Sequence, residues 1–409
     1  MRRSLLVRPL SSSSRDGLVV PVADASSWKE FVRQNVGRLR SSKCLLVQSS
    51  SLPESSSNKK RNEFMQRLNQ SVERNVSVSR LQYNIPIVPM NISSAVPTLS
   101  ELKGGVELAQ RSGTTMIVGM GSGSAMDLAK SISISTNQPC ILCPNTLGGI
   151  MASSNPIPLH LDPHEEALLP APWYNQSTLP EMEIVLDSQD IILPFSMERQ
   201  DNIVINKERR DDATYSGASS CPTLIDATLS SLVISTLSSD NNNNNNDDDD
   251  IRQSCMQTCI SLLKQIDTHI HHSSNGNDGD GTIDFSKEFV QDCTPNAILA
   301  MRQAGQLFMQ QNNNDNIRSI PLALTCALLP KYFPHANMIS FTSSMVHALS
   351  SLEIPPSLFP YIPRMSSFVE GTPNLEEMMD FIDTNAALIN CQDHDPSILQ
   401  HILSQSLQS

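Results

Sequence analysis

Residues 114–130 constrain what this chain can fold into more than any other stretch. Thr114-Thr115-Met116-Ile117-Val118-Gly119-Met120 is a short apolar run, rich in β-branched residues, that stops at Gly121-Ser122-Gly123-Ser124. Ala125-Met126-Asp127-Leu128-Ala129-Lys130 then follows with helical spacing. That order reads as strand, tight turn, helix. Glycines at 121 and 123 let the backbone take unusual dihedrals and approach a ligand with no Cβ in the way. The helix that starts there aims its unpaired amides and the positive end of its dipole into the turn, where phosphate is the favoured guest. Taken locally, the stretch is either a plain βα turn or a phosphate site, and the flanking sequence has to separate the two.

At 409 residues the chain exceeds one typical core, so two domains are expected. Hydrophobic residues make up 39% of it, enough for sizeable cores. No stretch approaches the roughly 18 apolar residues of a membrane span. The net charge of −13 argues against a nucleic-acid partner, although much of it sits in one acidic run. Nine cysteines, an odd number without framework spacing, suggest reduced thiols in an intracellular protein. Residues 1–27 are expected to be disordered. Met1 to Arg15 is Arg- and Ser-rich with no acid before Asp16, the composition of a mitochondrial or plastid transit peptide, the alternative being an ordinary disordered terminus.

Helical spacing marks Ser27 to Leu39 and Asn58 to Asn75, while Lys43–Gln48, Ile85–Pro89 and Cys140–Pro144 read as strands. Cys140 and Cys143 have no second pair at zinc spacing, so they are read as strand residues on opposite faces. Beyond about residue 195 the pattern turns helical, with Ala213–Leu237 and Ile251–His272 as long helices. Between them, the Asn and Asp runs of Asp240–Asp250 are expected to form a disordered insert. The His269–His272 cluster reads as a solvated helix end, with fortuitous metal binding as the alternative. Asp278–Phe285 resembles part of a calcium loop, but taking Gly281 as the turn glycine puts Gly276 first and Lys287 last, where a bidentate Glu is needed. It is therefore read as a polar loop.

Gly-Ser-Gly-Ser-Ala-Met-Asp-Leu-Ala-Lys at 121–130 resembles the Gly-Gly-Gly-Ser-x-x-Asp-x-x-Lys signature of the iron-containing alcohol dehydrogenases, a superfamily that includes glycerol dehydrogenases and maleylacetate reductases. Asn91 and Glu101–Ser112 look like that family's Asn-Pro-Thr and its following helix, and Pro144–Gly149 like its Pro-Thr-Thr-x-Gly-Thr. Glu181–Phe195 resembles its closing strand. The order and spacing of these motifs make the resemblance specific for residues 28–195. It implies an α/β Rossmann-like dinucleotide-binding domain there and an all-α domain over 196–409, the dehydroquinate synthase-like architecture. It also implies NAD or NADP, with Gly121, Ser122, Gly123 and Ser124 cradling the pyrophosphate, Asp127 anchoring the turn, and Thr146 and Gly148 in the second turn. Gln48 and Ser49 stand where many members place an Asp near the ribose. An Asp would repel a 2′-phosphate, so NADP stays open. The nearby Lys59, Lys60 and Arg61 are equally read as a solvated helix start.

In the resembling family an Asp and three His hold a divalent metal, iron or zinc, that polarises an alcohol or carbonyl oxygen during hydride transfer. The first two ligands come from Asp-Ala-x-x-His. Here Asp226 is kept and Ser230 stands for the His. Lys331–Asn337 looks like the Pro-His end of the other segment, so His335 is the remaining candidate ligand. The two further His positions read Pro321 and Thr325. Pro334-His335-Ala336 is similar to maleylacetate reductases, generally regarded as metal-free, which nonetheless use those His positions. In the second turn Ile150-Met151-Ala152 replaces Gly-Ser-Glu. No catalytic residue stands out. Two function readings remain: an NAD(P)-dependent oxidoreductase of a small alcohol or carbonyl substrate, with a degraded metal site, or a catalytically inactive relative serving as a binding or structural module. The resemblance also leaves a homodimer open.

Overall fold

A computed structural model describes residues 20–49, 59–92, 97–155, 159–162, 167–170, 180–187, 191, 221–237, 246–275 and 287–307. Its first half alternates helix and strand. Helix α1 (Trp28–Gln34) starts at Ser27, whose hydroxyl accepts the Glu30 amide, and Asn35 separates it from α2 (Val36–Ser41). The helix expected over 27–39 is thus two short helices. Strand β1 (Cys44–Ser49) leads to α3 (Lys59–Ser77), which ends in a π-helical turn, Val78–Gln82. Strand β2 (Ile87–Ile92) begins two residues later than its sequence pattern indicated, and its first rung to β1 runs from the Cys44 amide to the Pro86 carbonyl. Helix α4 (Leu99–Ser112) opens on a reciprocal capping box between Thr98 and Glu101 and closes on left-handed Gly113.

Then come β3 (Met116–Gly121), α5 (Gly123–Thr136), β4 (Cys140–Pro144) and α6 (Leu147–Ser154). A hairpin of β5 (Leu159–Asp162) and β6 (Ala167–Pro170), which no sequence signal announced, precedes β7 (Met182–Ile184). Strand β7 covers only part of the closing segment expected over 181–195, of which 188–190 and 192–195 lie outside the described residues.

The five parallel strands lie in the order β2-β1-β3-β4-β7. Strand alternation sends Leu45, Val47, Ile117, Cys140 and Leu142 into one core, where they meet Ala125, Met126, Leu128, Ala129 and Ile132 of α5. Leu46, Val118, Met120, Ile141 and Cys143 face the other core, with Trp28, Phe31 and Val72. Cys140 and Cys143 therefore do lie on opposite faces. Burial pushes the Cys140 thiol up to about 12, against the pull of the Lys130 charge. A group held protonated in this way is a poor metal ligand.

Two expectations of disorder are corrected. Val20–Ala23 fall within the terminus expected to be disordered over 1–27, yet they run beside β7, with Ile184 donating to Pro21 and Ala23 donating to Ile184, each at 2.8 Å. Their backbone pairs an edge that β7 would otherwise expose. Residues 1–19 lie outside the described residues. Asn246–Asp250, assigned to the disordered insert, are the opening turns of α8 (Asn246–Asn275), where aspartates complement the helix dipole. Residues 240–245 lie outside the described residues.

After β7 the described elements are all helical: α7 (Cys221–Leu237), α8 and α9 (Lys287–Leu307). Residues 213–220 of the helix expected from Ala213 lie outside the described residues. The three helices share a dry interface in which Ser231 Oγ donates to Met301 Sδ at 3.3 Å and Cys255 Sγ donates to Ala300 O at 3.6 Å. His269, read as part of a solvated helix end, stacks on Phe289 of α9 with ring centroids 3.9 Å apart. Helix α9 crosses α6 at Gly305, where a Cβ would overlap the Met151 carbonyl and stand 3.0 Å from Ser154 Cβ. No helix among the described residues is long and apolar enough to cross a membrane. The calcium-like segment, Asp278–Phe285, lies outside the described residues.

Candidate functional site

In a parallel sheet all strand C-termini share one edge, and a ligand crevice opens there where successive crossovers depart in opposite directions. From β1 the chain crosses to β2 on one side, and from β3 it crosses to β4 on the other. The switch point therefore lies between the ends of β1 and β3. Those ends are Ser49 and Gly121. Strand order thus leads to the same turn that the sequence pattern singled out.

The turn is built on one glycine conformation and two hydrogen bonds. Gly121 has φ +123°, a conformation that L side chains rarely adopt, and a Cβ there would stand 2.9 Å from Ser49 Oγ. Ser122 is the N-cap of α5, but its side chain makes no capping bond. Its hydroxyl instead meets Ser49 Oγ at 2.8 Å across the crevice, and its amide donates to the same oxygen at 3.3 Å. Helices α1, α4 and α6 have a side-chain cap from their N-cap residue, whereas α5, like α2, has none. Just behind the turn, Gly119 lets α5 settle on β3: a Cβ there would lie 2.8 Å from Ala129 Cβ.

The second turn packs against the first. Gly121 pairs in register with Pro144, and the Asn145 amide donates to Gly121 O at 2.9 Å. Thr146 Oγ1 caps α6 by accepting the Gly149 amide at 2.9 Å, and Gly148 lies buried in the first turn of that helix. Asn145 Nδ2 donates to Ser71 Oγ of α3 at 3.1 Å, with both residues buried. The structure thus brings Gly121, Ser122, Gly123, Ser124, Thr146 and Gly148 together at one edge.

Asp127 and Lys130 form an ion pair at 3.0 Å with both side chains fully buried. Lys130 Nζ also donates to Ala152 O and Asn155 O at 2.6 Å each, closing the C-terminal end of α6 with a cation. The pair ties α5 to α6, so the expected anchoring by Asp127 takes the form of a strut between the helices that follow the two turns. Ile150, Met151 and Ala152, expected as an apolar surface of the second turn, are buried helix residues in α6. Of the three, only Ala152 reaches the Lys130 strut, through its carbonyl.

The expected metal positions are not assembled by the described residues. Asp226 and Ser230 stand four apart on α7, and Ser230 is buried. His335, Pro321 and Thr325 lie outside the described residues. No three His, Cys, Asp or Glu side chains gather among the described residues. Among the described residues only Asp226 and Ser230 stand at those positions, and a carboxylate with a neutral serine hydroxyl does not by itself make a four-ligand divalent site.

For a dinucleotide the fit is better. A glycine at positive φ, a helix start without its own side-chain cap and a crevice at the switch point together match the needs of a pyrophosphate. Sequence reasoning registered Ser49 only as a missing Asp and passed over Asn145, Ser71 and the α5–α6 strut. A serine closing a buried strand next to a glycine turn was the one available signal. Gln48, in the other position of the missing Asp, donates to Asn91 Oδ1 on β2 at 2.7 Å.

No protein-family model matches the chain, and no curated protein sequence does. Solved structures do. The iron-containing alcohol dehydrogenase of Thermotoga maritima is 15% identical, with 96% of this chain and 99% of that one covered at a TM-score of 0.52. That of Thermococcus thioreducens is 13% identical, with 96% and 99% covered at 0.52. Maleylacetate reductase from Agrobacterium tumefaciens is 14% identical, with 95% and 96% covered at 0.51. The parallel sheet with its switch-point turn, the helices that follow it and these likenesses show that the chain has the fold of the iron-containing alcohol dehydrogenases and maleylacetate reductases, in a far-diverged sequence.

Proposed function

We propose that the chain is an NAD(P)-dependent oxidoreductase of a small alcohol or ketone, a divergent relative of the iron-containing alcohol dehydrogenases. The observation that carries this is the α5 start at the β1/β3 crevice, where Gly121 holds φ +123° and the N-cap Ser122 makes no side-chain capping bond. In this reading Gly121–Ser124 hold the pyrophosphate through backbone amides and hydroxyls. Ser49 fixes the Ser122 side chain, and Asn145 and Thr146 hold the second turn against the first. The nicotinamide supplies or accepts hydride when it is bound. No step is assigned to a metal, because Ser230, Pro321 and Thr325 replace three histidines of the resembling family. Action on a maleylacetate-like keto acid rests on Pro334-His335-Ala336 alone. A homodimer and an organelle address through residues 1–15 belong to the same proposal.

A second reading has its own support. Ser230 is buried at a position where the family uses a ligand, and Ile150–Ala152 spend their surface on packing. In that reading the fold persists as a binding or structural module without turnover. Fluorescence titration of the full chain with NADH and NADPH separates the two. Saturable micromolar binding, followed by NAD(P)H turnover in a panel of alcohols and carbonyls, supports the enzyme. No binding up to millimolar coenzyme overturns it. Binding without turnover favours the module.

A further inference from the structure

Val20–Ala23 stand on the outer side of β7, opposite its pairing with β4. Ile184 is held there from both backbone atoms, its amide by Pro21 O and its carbonyl by the Ala23 amide, each at 2.8 Å. The side chains alternate as those of a strand do. Val20 is buried in the core that holds Leu142 and Ile184, and Ala23 in the core that holds Trp28, Ile141 and Val185. Removing these residues would strip two backbone hydrogen bonds, thin both cores and reopen the β7 edge.

The bridge to Ile184 is parallel. Strands of a parallel sheet enter at one edge and leave at the other, so the chain joins the sheet at the edge opposite Ser49 and Gly121. The crevice is therefore remote from the point where Val20 begins. In the sequence, Arg2, Arg3, Arg8 and Arg15 precede the first carboxylate, Asp16. The basic head and the first contact of the fold do not overlap, and only residues 16–19 separate them. Tolerance to trimming follows the burial and hydrogen bonding of the backbone that is lost, and these set a limit at Val20.

We propose that the chain is processed between Arg15 and Val20, and that the mature protein keeps Val20–Ala23 as its edge strand. This rests on the reading of residues 1–15 as an organelle address. An organelle endopeptidase hydrolyses one peptide bond: water gives its hydroxyl to the acyl carbon and its proton to the leaving nitrogen, which becomes the new α-amino group. Cleavage at residue 27, where the sequence alone would end the address, would remove the strand as well.

Two experiments test this. In the first, the full chain is offered to isolated mitochondria and isolated chloroplasts, and the N-terminus of the recovered protein is read by mass spectrometry. A new terminus between Asp16 and Val20 is expected in one of them. A terminus at Pro21 or beyond, or uptake without cleavage, would overturn the proposal. Uptake by neither would overturn the address reading and the processing with it. In the second, the full chain is compared with variants lacking residues 2–19 or 2–24 and with Ala23→Pro, which keeps the length but removes the N–H that donates to Ile184 O. Loss of 2–19 should leave the melting midpoint and the NADH titration as in the full chain. Loss of 2–24 and Ala23→Pro should each lower the midpoint by about 5 °C or more. A fall on losing 2–19, or equal midpoints for all four proteins, would overturn Val20 as the limit of processing, whichever way the import experiment turns out.

Discussion

A Cβ at position 121 would be strained twice, once by φ +123° and once by Ser49 Oγ at 2.9 Å. Gly121→Ala is therefore expected to cost about 1–3 kcal/mol, read as a lower denaturant midpoint. Combining it with Ser49→Gly should return only the steric part, because the dihedral strain is intrinsic to the alanine. The Asp127–Lys130 pair sets a different scale. Both side chains are fully buried, and the lysine also caps α6. Lys130→Met strands a buried carboxylate and should cost about 3–5 kcal/mol, whereas Asp127→Leu with Lys130→Met should cost clearly less than the two single changes added together. A double change as costly as that sum would show that the pair contributes nothing through its own contact.

Among elements, the α1 start offers a test of charge. The Ser26 hydroxyl and backbone amide, together with Arg33, hold the Glu30 carboxyl below its ordinary value, against a smaller opposing effect of burial. A lowered folded pKa means that the unfolded chain binds more protons in that window, so the contribution is full above the ordinary value of about 4.3 and is lost as pH falls through the lower folded value. Glu30→Gln should reduce stability at pH 7 and leave it unchanged at pH 2, as chemical denaturation at the two pH values would show. Periodicity made most of these elements legible. Helix α4 begins two residues before the run expected from Glu101, and β1, β3 and β4 fall within two residues of their patterns. The β5–β6 hairpin was not legible, since Leu159-His160-Leu161-Asp162 alternates over only four residues, Ala167–Pro170 does not alternate, and no turn of the Asn-Gly kind joins them.

At the scale of the whole molecule, Gly305 fixes how closely α9 lies on α6. Gly305→Val would push the helices apart against Met151 and Ser154, with an expected loss of about 1–3 kcal/mol in denaturation. Because α6 also carries the second turn, the same variant should weaken coenzyme binding at a distance from the crevice, whereas an exposed substitution on α9 should not. Unchanged affinity in a destabilised Gly305→Val would mean that the helical half does not hold the turn in place.

Local chemistry is what the sequence determined alone. Alternation with period two assigned Cys140 and Cys143 to opposite faces, and the Gly-Ser turn with its helix placed Gly121–Ser124 at a strand end, because both follow from the residues themselves and their near neighbours. What the fold decided is who meets whom across long separations. Ser49 faces Ser122 because β1 lies beside β3, Ser71 meets Asn145 because α3 covers that end of the sheet, and Val20–Ala23 complete the sheet because β7 leaves them an edge. Those meetings depend on strand order and crossover direction, which are set by the packing of the whole sheet and leave no trace in any single window of the chain.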